Sequence, residues 1–309
     1  MSYRIKRLNG HEMYINATDG KGNPIDIRTK EEKIMMDHER KGLIPIYKIN
    51  YKYPQLFLAI HNGHNISENI KYKIGISELD RMREEDPYTE FFINDKENHI
   101  IQYTSRFEYD LNRVPEKAVY ILPENCWGLP IYPKEGLTGW ESDISRHNYE
   151  TFYTNLINII DNYLECFDKI IVWDIHSYNH RRNGDGAIFD PDEQNPEIIL
   201  GTNNYKYMSR DWEPLVNKIE ELFKSHTFKG DFVNRSLKQD YLDVRQNVKF
   251  PGGYLSQFLN KKYANRVCCV AVEFKKIWMN EWTQEIDEEC FSLLKKIFND
   301  VCGEVGYHL

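Results

Sequence analysis

The sequence predicts an α/β fold: a single domain with a mixed, mostly parallel sheet flanked by helices. Three observations point there. Short apolar runs rich in β-branched residues stand at 56–60 (LFLAI), 170–175 (IIVWDI) and 266–274 (RVCCVAVEF). They are too short for helix cores and lack the alternation of a half-exposed strand, as expected of strands covered on both faces. Between and after them, apolar residues recur at helical spacing. Finally, 309 residues are many for one compact domain and few for two large ones, so one core with excursions is expected across residues 1–309.

In chain order, residues 1–50 are polar, with turn signals at Asn9-Gly10, Asp19-Gly20 and Gly22-Asn23-Pro24. They predict hairpins or extended arms ahead of a core over 51–309. A short buried strand at 56–60 then stops at His61-Asn62-Gly63-His64. Residues 78–83 suit a helix. Pro87 pushes Asp86 out of helical geometry and suits the first position of a following helix, with Asp86 as its N-cap. A short strand near 100–103 precedes 105–113 (SRFEYDLNR), which is dense in groups able to grip an anion.

Residues 123–148 carry Trp127, Trp140, Pro123, Pro130 and Pro133, and predict a long ordered loop. Tyr149, Phe152, Tyr153, Leu156, Ile159, Ile160 and Tyr163 then mark an amphipathic helix that leads into the central strand. A second helix is expected over 209–223, capped by Ser209, and a third over about 283–301 with Ile286 and Leu294 inward. The segments 198–204 (IILGTNN) and 247–254 (NVKFPGGY) are expected as loops. In the latter, Gly252 and Gly253 would let backbone approach a ligand.

Bulk properties narrow the function. A formal charge of −8 argues against a nucleic-acid or anionic-membrane partner, so an anionic substrate needs a local basic cluster. No stretch approaches the ~20 apolar residues of a membrane span, and the first residues have no leader-like apolar segment, so a soluble, cytoplasmic protein is expected. The six cysteines form no CxxC pair. Buried, reduced thiols are expected, with Cys268 and Cys269 on opposite faces of a strand.

Chemistry gathers at strand ends, where open α/β sheets bind ligands. His61 and His176 each follow an apolar run, and either imidazole could bind metal, move protons or cap a hydrogen-bond network. Glu273 lies in an apolar strand, where a carboxylate needs a partner: a core ion pair with Lys275 or Lys276, or a role in chemistry. Two imidazoles and a carboxylate such as Asp86 suffice for a catalytic zinc ion with a fourth position left for water. The same donor set also describes iron(II) oxygenases, although those sit on β-rich scaffolds. A binding or regulatory protein retaining the fold is the non-enzymatic alternative.

The motifs DIHSY, DLNR and VEF resemble those of the zinc carboxypeptidases in relative order. The fuller set AIHNGH, EEDPYT, SRFEYDLNR, DIHSYNHRR, LGTNN, NVKFPGG and VEFKK resembles the N-formylglutamate amidohydrolase family, over roughly residues 55–282. The resemblance implies a carboxypeptidase-like (phosphorylase/hydrolase-like) fold and one Zn2+ held by His61, Asp86 and His176, with Glu85 or His64 as alternative third ligands. It also implies Glu273 as general base and Arg106 as a group that polarises the scissile carbonyl or binds a second carboxylate. Asn112 and Arg113 would grip the carboxylate of a small anionic N-acyl amino acid, with N-formyl-L-glutamate leading and a different acyl group, or a small peptide cut by a zinc carboxypeptidase, as the alternative. Arg181 and Arg182 are candidates for a second carboxylate, and each arginine could instead pair with surface acids. Ser177 and Tyr178 could orient His176 or touch substrate. A serine nucleophile is disfavoured without a GxSxG turn. The 127–140 loop and the His-Arg-Arg extension depart from shorter family members and would reshape the pocket.

Overall fold

The computed structural model describes residues 43–132 and 136–306 in full. It also gives the backbone of two antiparallel pairs, Arg4–Leu8 with His11–Ile15 and Ala17–Thr18 with Pro24–Ile25. The turns expected at Asn9-Gly10 and Asp19-Gly20, and Pro133, lie outside the described residues.

One seven-stranded sheet organises the core. Its strands are β1 (Ile46–Lys48), β2 (Gln55–Ala59), β3 (His99–Ile101), β4 (Ile170–Tyr178), β5 (Ile198–Gly201), β6 (Val244–Gln246) and β7 (Val267–Lys275). Across the sheet they lie in the order β6-β5-β7-β4-β2-β3-β1. Pairing is parallel except at β5–β7 and β1–β3, so the sheet is mixed and mostly parallel, as the apolar runs predict. β4 and β7 are buried along their full lengths at the centre.

The longer helices are α1 (Glu78–Glu84), α2 (Gly139–Cys166), α3 (Glu213–Ser225), α4 (Tyr254–Tyr263) and α5 (Glu288–Gly306). Strand alternation divides the core between them. Ile171, Trp173, Ile175, Cys268 and Val270 face one layer, with Val216 and Ile219 of α3 and Ile297 and Phe298 of α5. Ile170, Val172 and Cys269 face the other, with Phe152 and Leu156 of α2 and Leu255 and Leu259 of α4. Trp173 stacks on Phe57 at 6.2 Å and donates its indole N–H to Gln55 Oε1 at 2.9 Å, which satisfies its one polar atom. Burying each such side chain is worth roughly 1.5–3 kcal/mol. Cys268 and Cys269 thus lie on opposite faces. Cys166 is exposed, contrary to the expectation that every thiol is buried.

Four boundaries differ from expectation. Ser209 caps a 3-10 turn, Arg210–Trp212, and α3 itself begins at Glu213, where Pro214 suits the first turn. α2 begins at Gly139, so Trp140 belongs to a helix and not to the 123–148 loop. Thr138 and Glu141 form a reciprocal capping box there, and the early turns are polar enough to hide the helix from periodicity. Residues 198–201 form β5, a strand and not a loop, stitched between β6 and β7. α5 starts at Glu288, where the Asp287 carboxylate accepts from Cys290 N at 3.0 Å; Ile286 lies ahead of it in a bridge to Met279 and is partly exposed.

Candidate metal centre

Three backbone segments deliver the candidate ligands, and a fourth brings Glu273. In β4 and β7 the parallel register sets Glu273 directly beside His176, at the same level of the sheet. His61 follows the end of β2 in a tight turn. Gly63 is required there, because a Cβ would come within 2.2 Å of the Tyr103 carbonyl carbon. The third segment is the exit from α1. Pro87 ends helical geometry as expected, but Asp86 caps no α-helix. Tyr88 takes a left-handed conformation (φ 67°), and only a 3-10 turn, Thr89–Phe92, follows. The Asp86 carbonyl, not its carboxylate, accepts from Thr89 Oγ1 at 2.8 Å, and the Asp86 N–H donates to the His61 carbonyl at 3.0 Å. The carboxylate is thereby left to face the histidines.

His61, Asp86 and His176 are all buried and each offers a ligand atom within 4.8 Å of the others. Both Nδ1 atoms approach Asp86 Oδ2, at 3.3 Å from His61 and 3.0 Å from His176. On the far side, His61 Nε2 lies 2.7 Å from Asp110 Oδ1, and His176 Nε2 lies 3.0 Å from Asp174 Oδ1 without hydrogen-bond alignment. The Asp110 carboxylate orients the His61 ring by a hydrogen bond to its far nitrogen, Asp174 sets a charge behind His176 without one, and the Nδ1 atoms that now meet Asp86 are the ones that would turn to a cation. Both oxygens of Asp174 are otherwise buried without a hydrogen-bond partner.

The electrostatics follow from this crowding. Burial would raise the Asp86 carboxyl, but hydrogen bonds from His176 and His61 hold it below the usual carboxylate range. Asp110 is likewise held low against its burial by Arg106 and His61. Burial opposes the His176 imidazolium, yet Asp174, Asp86 and Glu273 carry its pKa well above the ordinary value. Glu273 is pushed up to about 7 by burial, with Asp86 and Asp174 adding to the shift and His176 opposing it. Four acids around two imidazoles outnumber the neighbouring cations, and such a cluster is satisfied by a bound metal ion. The donor set fits one.

Neither Lys275 nor Lys276 pairs with Glu273. Lys275 reaches Asp192 at 2.6 Å, and Lys276 reaches backbone carbonyls and Asn179. His64 and Glu85, the alternative ligands, bind one another at 2.5 Å and are clamped by Arg81, so they are engaged away from the histidine pair.

The expected substrate residues divide. Arg106 lies against Asp110 at 2.6 Å with its Nε–H buried and unpartnered, and Arg113 is half-exposed, 3.8 Å from the same carboxylate. Both guanidinium groups lie near the Trp127 ring, at 5.0 and 5.6 Å, so the loop after residue 123 does border this cluster. Asn112 is already engaged: its Oδ1 accepts from Leu255 N at 3.1 Å at the start of α4. Gly253 makes room for that amide, since a Cβ would come 2.2 Å from Oδ1. Gly252 (φ +104°) packs against Gly201. By strand alternation Ser177 faces the opposite side of the sheet from His176, and its hydroxyl is buried. Tyr178 donates to the Pro196 carbonyl. Arg181 is buried on Asn234 at 2.7 Å, and Arg182 is half-exposed, 3.9 Å from Glu84.

Sequence reasoning gave no role to Asp110 or Asp174, the two acids behind the imidazoles. Asp174 carried a usable signal: it stands in an apolar strand two residues before His176, on the same face, as anomalous there as Glu273 in β7.

A mixed α/β sheet that sets two histidines and a glutamate at its strand ends, with an aspartate from the exit of α1 facing them, defines the class: an α/β protein with a candidate metal centre suited to hydrolysis. The sequence over residues 53–279 matches the family model of N-formylglutamate amidohydrolase. That match takes in most of the chain, and the chain belongs to this family of amide-hydrolysing enzymes. No curated protein matches it significantly. Among solved structures it resembles an N-formylglutamate amidohydrolase from Ralstonia eutropha JMP134, with TM-score 0.65 and 14% identity, over 86% of this chain and 98% of that one. It also resembles a gene product of Agrobacterium tumefaciens, with TM-score 0.59 and 19% identity over the same shares. At these identities the likeness is one of fold.

Proposed function

We propose that the chain is a zinc-dependent amidohydrolase that cleaves an N-acyl amino acid, with N-formyl-L-glutamate, giving formate and glutamate, as the first substrate to test. The observation that carries this reading is the convergence of the His61 and His176 Nδ1 atoms on Asp86, each ring backed by a second carboxylate. His61, His176 and Asp86 would hold the ion, which when bound supplies Lewis-acid polarisation and an acidified water. Glu273, buried next to His176 and titrating near 7, is matched to take a proton from the attacking water and return it to the departing amine. Arg106, held by Asp110 with one N–H still unpaired, is the group available to the carbonyl oxygen as charge develops on it. Arg113, half-exposed beside Trp127, offers a planar fork to the substrate carboxylate.

The test is a panel of N-formyl, N-acetyl and N-succinyl amino acids assayed with Zn2+ and again after chelation. N-formylglutamate should turn over fastest, and chelation should abolish turnover. Undiminished hydrolysis after complete metal removal overturns the metal reading. Preference for another acyl group or amino acid overturns the named substrate alone.

A further inference from the structure

Lys276 follows directly on β7 and is buried, although an ammonium in the interior carries a large desolvation cost unless its donors are satisfied. All three are. Nζ donates to the Arg83 carbonyl at 2.7 Å, the Glu85 carbonyl at 2.9 Å and Asn179 Oδ1 at 2.9 Å. Asn179, one residue past β4, donates in turn from Nδ2 to the same Arg83 carbonyl at 2.8 Å. The Lys276 N–H donates to the Tyr178 carbonyl at 3.0 Å, which ties the ends of β4 and β7 together under this contact.

The two carbonyls are those of the last turn of α1 and its C-cap, groups that a helix leaves without intrahelical partners and that favour a nearby cation. Glu85 is also the residue before Asp86. Pro87 follows at once and removes a backbone donor, so the segment that presents the Asp86 carboxylate is tied down on one side by Lys276 and on the other by the Asp86 N–H to the His61 carbonyl. Lys275 provides a natural contrast. It is equally buried, yet its ammonium goes to Asp192 and Ser236, away from residues 83–86.

We infer that Lys276, with Asn179, is a positioning residue that latches the end of α1 so that Asp86 meets His61 and His176 as a third ligand. The inference rests on the metal-centre reading above. Removing the latch leaves the ligands in place but lets the Asp86 segment drift, and loss of such supporting contacts weakens metal binding about 10–100-fold.

The experiment measures Zn2+ dissociation constants by chelator competition for wild type, K276M, K275M and N179A, with far-UV circular dichroism to establish folding. K276M should stay folded and bind Zn2+ about 10–100-fold more weakly. K275M, which loses an equally buried ammonium, should bind Zn2+ as wild type does. K276M binding as tightly as wild type, or K275M weakened as much as K276M, overturns the assignment. If K276M does not fold, N179A decides: weaker binding supports the latch and unchanged binding overturns it. Wild-type protein that takes up no Zn2+ overturns the metal-centre reading and this assignment with it, whereas intact wild-type binding preserved in K276M overturns the latch alone.

Discussion

Glu108 sits in the segment that also supplies Arg106, Asp110 and Arg113, and its buried carboxylate accepts from the Ser67 N–H at 2.8 Å and Oγ at 2.9 Å. Burial pushes its pKa up to about 7 from 4.5, and the two Ser67 bonds recover only part of the shift. The sign is that of an acid raised by folding. Between pH 4.5 and 7 the folded chain holds a proton that the unfolded chain has released, so stability falls as pH rises through this window and levels off above it. At 1.36 kcal/mol per pKa unit the charged form costs about 3 kcal/mol at pH 8, and well under half of that at pH 5. Glu108→Gln removes the charge and keeps both contacts, with the amide oxygen accepting from the Ser67 N–H and the amide nitrogen donating to Oγ. Urea unfolding of both proteins at pH 5 and pH 8 isolates the effect, because the other titrating groups cancel in the difference. The variant should gain roughly 2–3 kcal/mol at pH 8 and little at pH 5. A variant less stable than wild type at pH 8, or a difference that does not change with pH, refutes the assignment of a buried, raised carboxyl.

Glu273→Gln should retain Zn2+ and slow turnover by about 10²–10⁴-fold, the range of a general base, in steady-state assays on N-formylglutamate; an unchanged rate reassigns the proton transfer. Asp174→Asn withdraws the charge behind His176 and should weaken Zn2+ binding by about 10–100-fold in the chelator competition while circular dichroism stays that of wild type, and unaltered affinity would make Asp174 a bystander. Gly253→Ala drives a methyl to within 2.2 Å of the Asn112 amide. It should cost about 1–3 kcal/mol in urea unfolding through overpacking and a lost cap, and full stability would show that the Asn112 contact is dispensable.

The central strands were legible because they are buried on both faces, which gives IIVWDI and RVCCVAVEF near-continuous apolar runs. β5 was not: four residues, IILG, followed by polar TNN, resemble a loop until their pairing with β6 and β7 is seen. The start of α2 was hidden for the opposite reason, because its first turns are polar and its signal lay in the Thr138–Glu141 cap. His61, Asp86 and His176 were readable as chemistry-bearing side chains where apolar strands or helices end. Contacts across the fold were not. Arg181 resembles an exposed anion ligand until Asn234, 53 residues further on, is found against it, and nothing local to Asp110 says that an imidazole 49 residues earlier will point at it.

The distribution of charge explains why so much backbone is committed to this corner. Asp86, Asp110, Asp174 and Glu273 are all buried within reach of two imidazoles, and mutual repulsion in a low-dielectric interior would drive them apart unless each were held by its own element. Asp174 and Glu273 are fixed by the β4–β7 register, Asp110 by its contacts with Arg106, Tyr120 and His61, and Asp86 by its backbone bond to His61 and by the carbonyls that Lys276 holds. A framework that rigid cannot relieve the repulsion by moving the acids. It can be relieved by a proton shared among them or by a cation at the point where the Nδ1 atoms converge. The raised His176 imidazolium and the raised Glu273 carboxyl each keep a proton that eases the repulsion, and a divalent ion at that point would ease it further. The arrangement therefore fits a cation-binding frame, and on the proposed function the hydrolytic chemistry would follow from an acidified water beside Glu273.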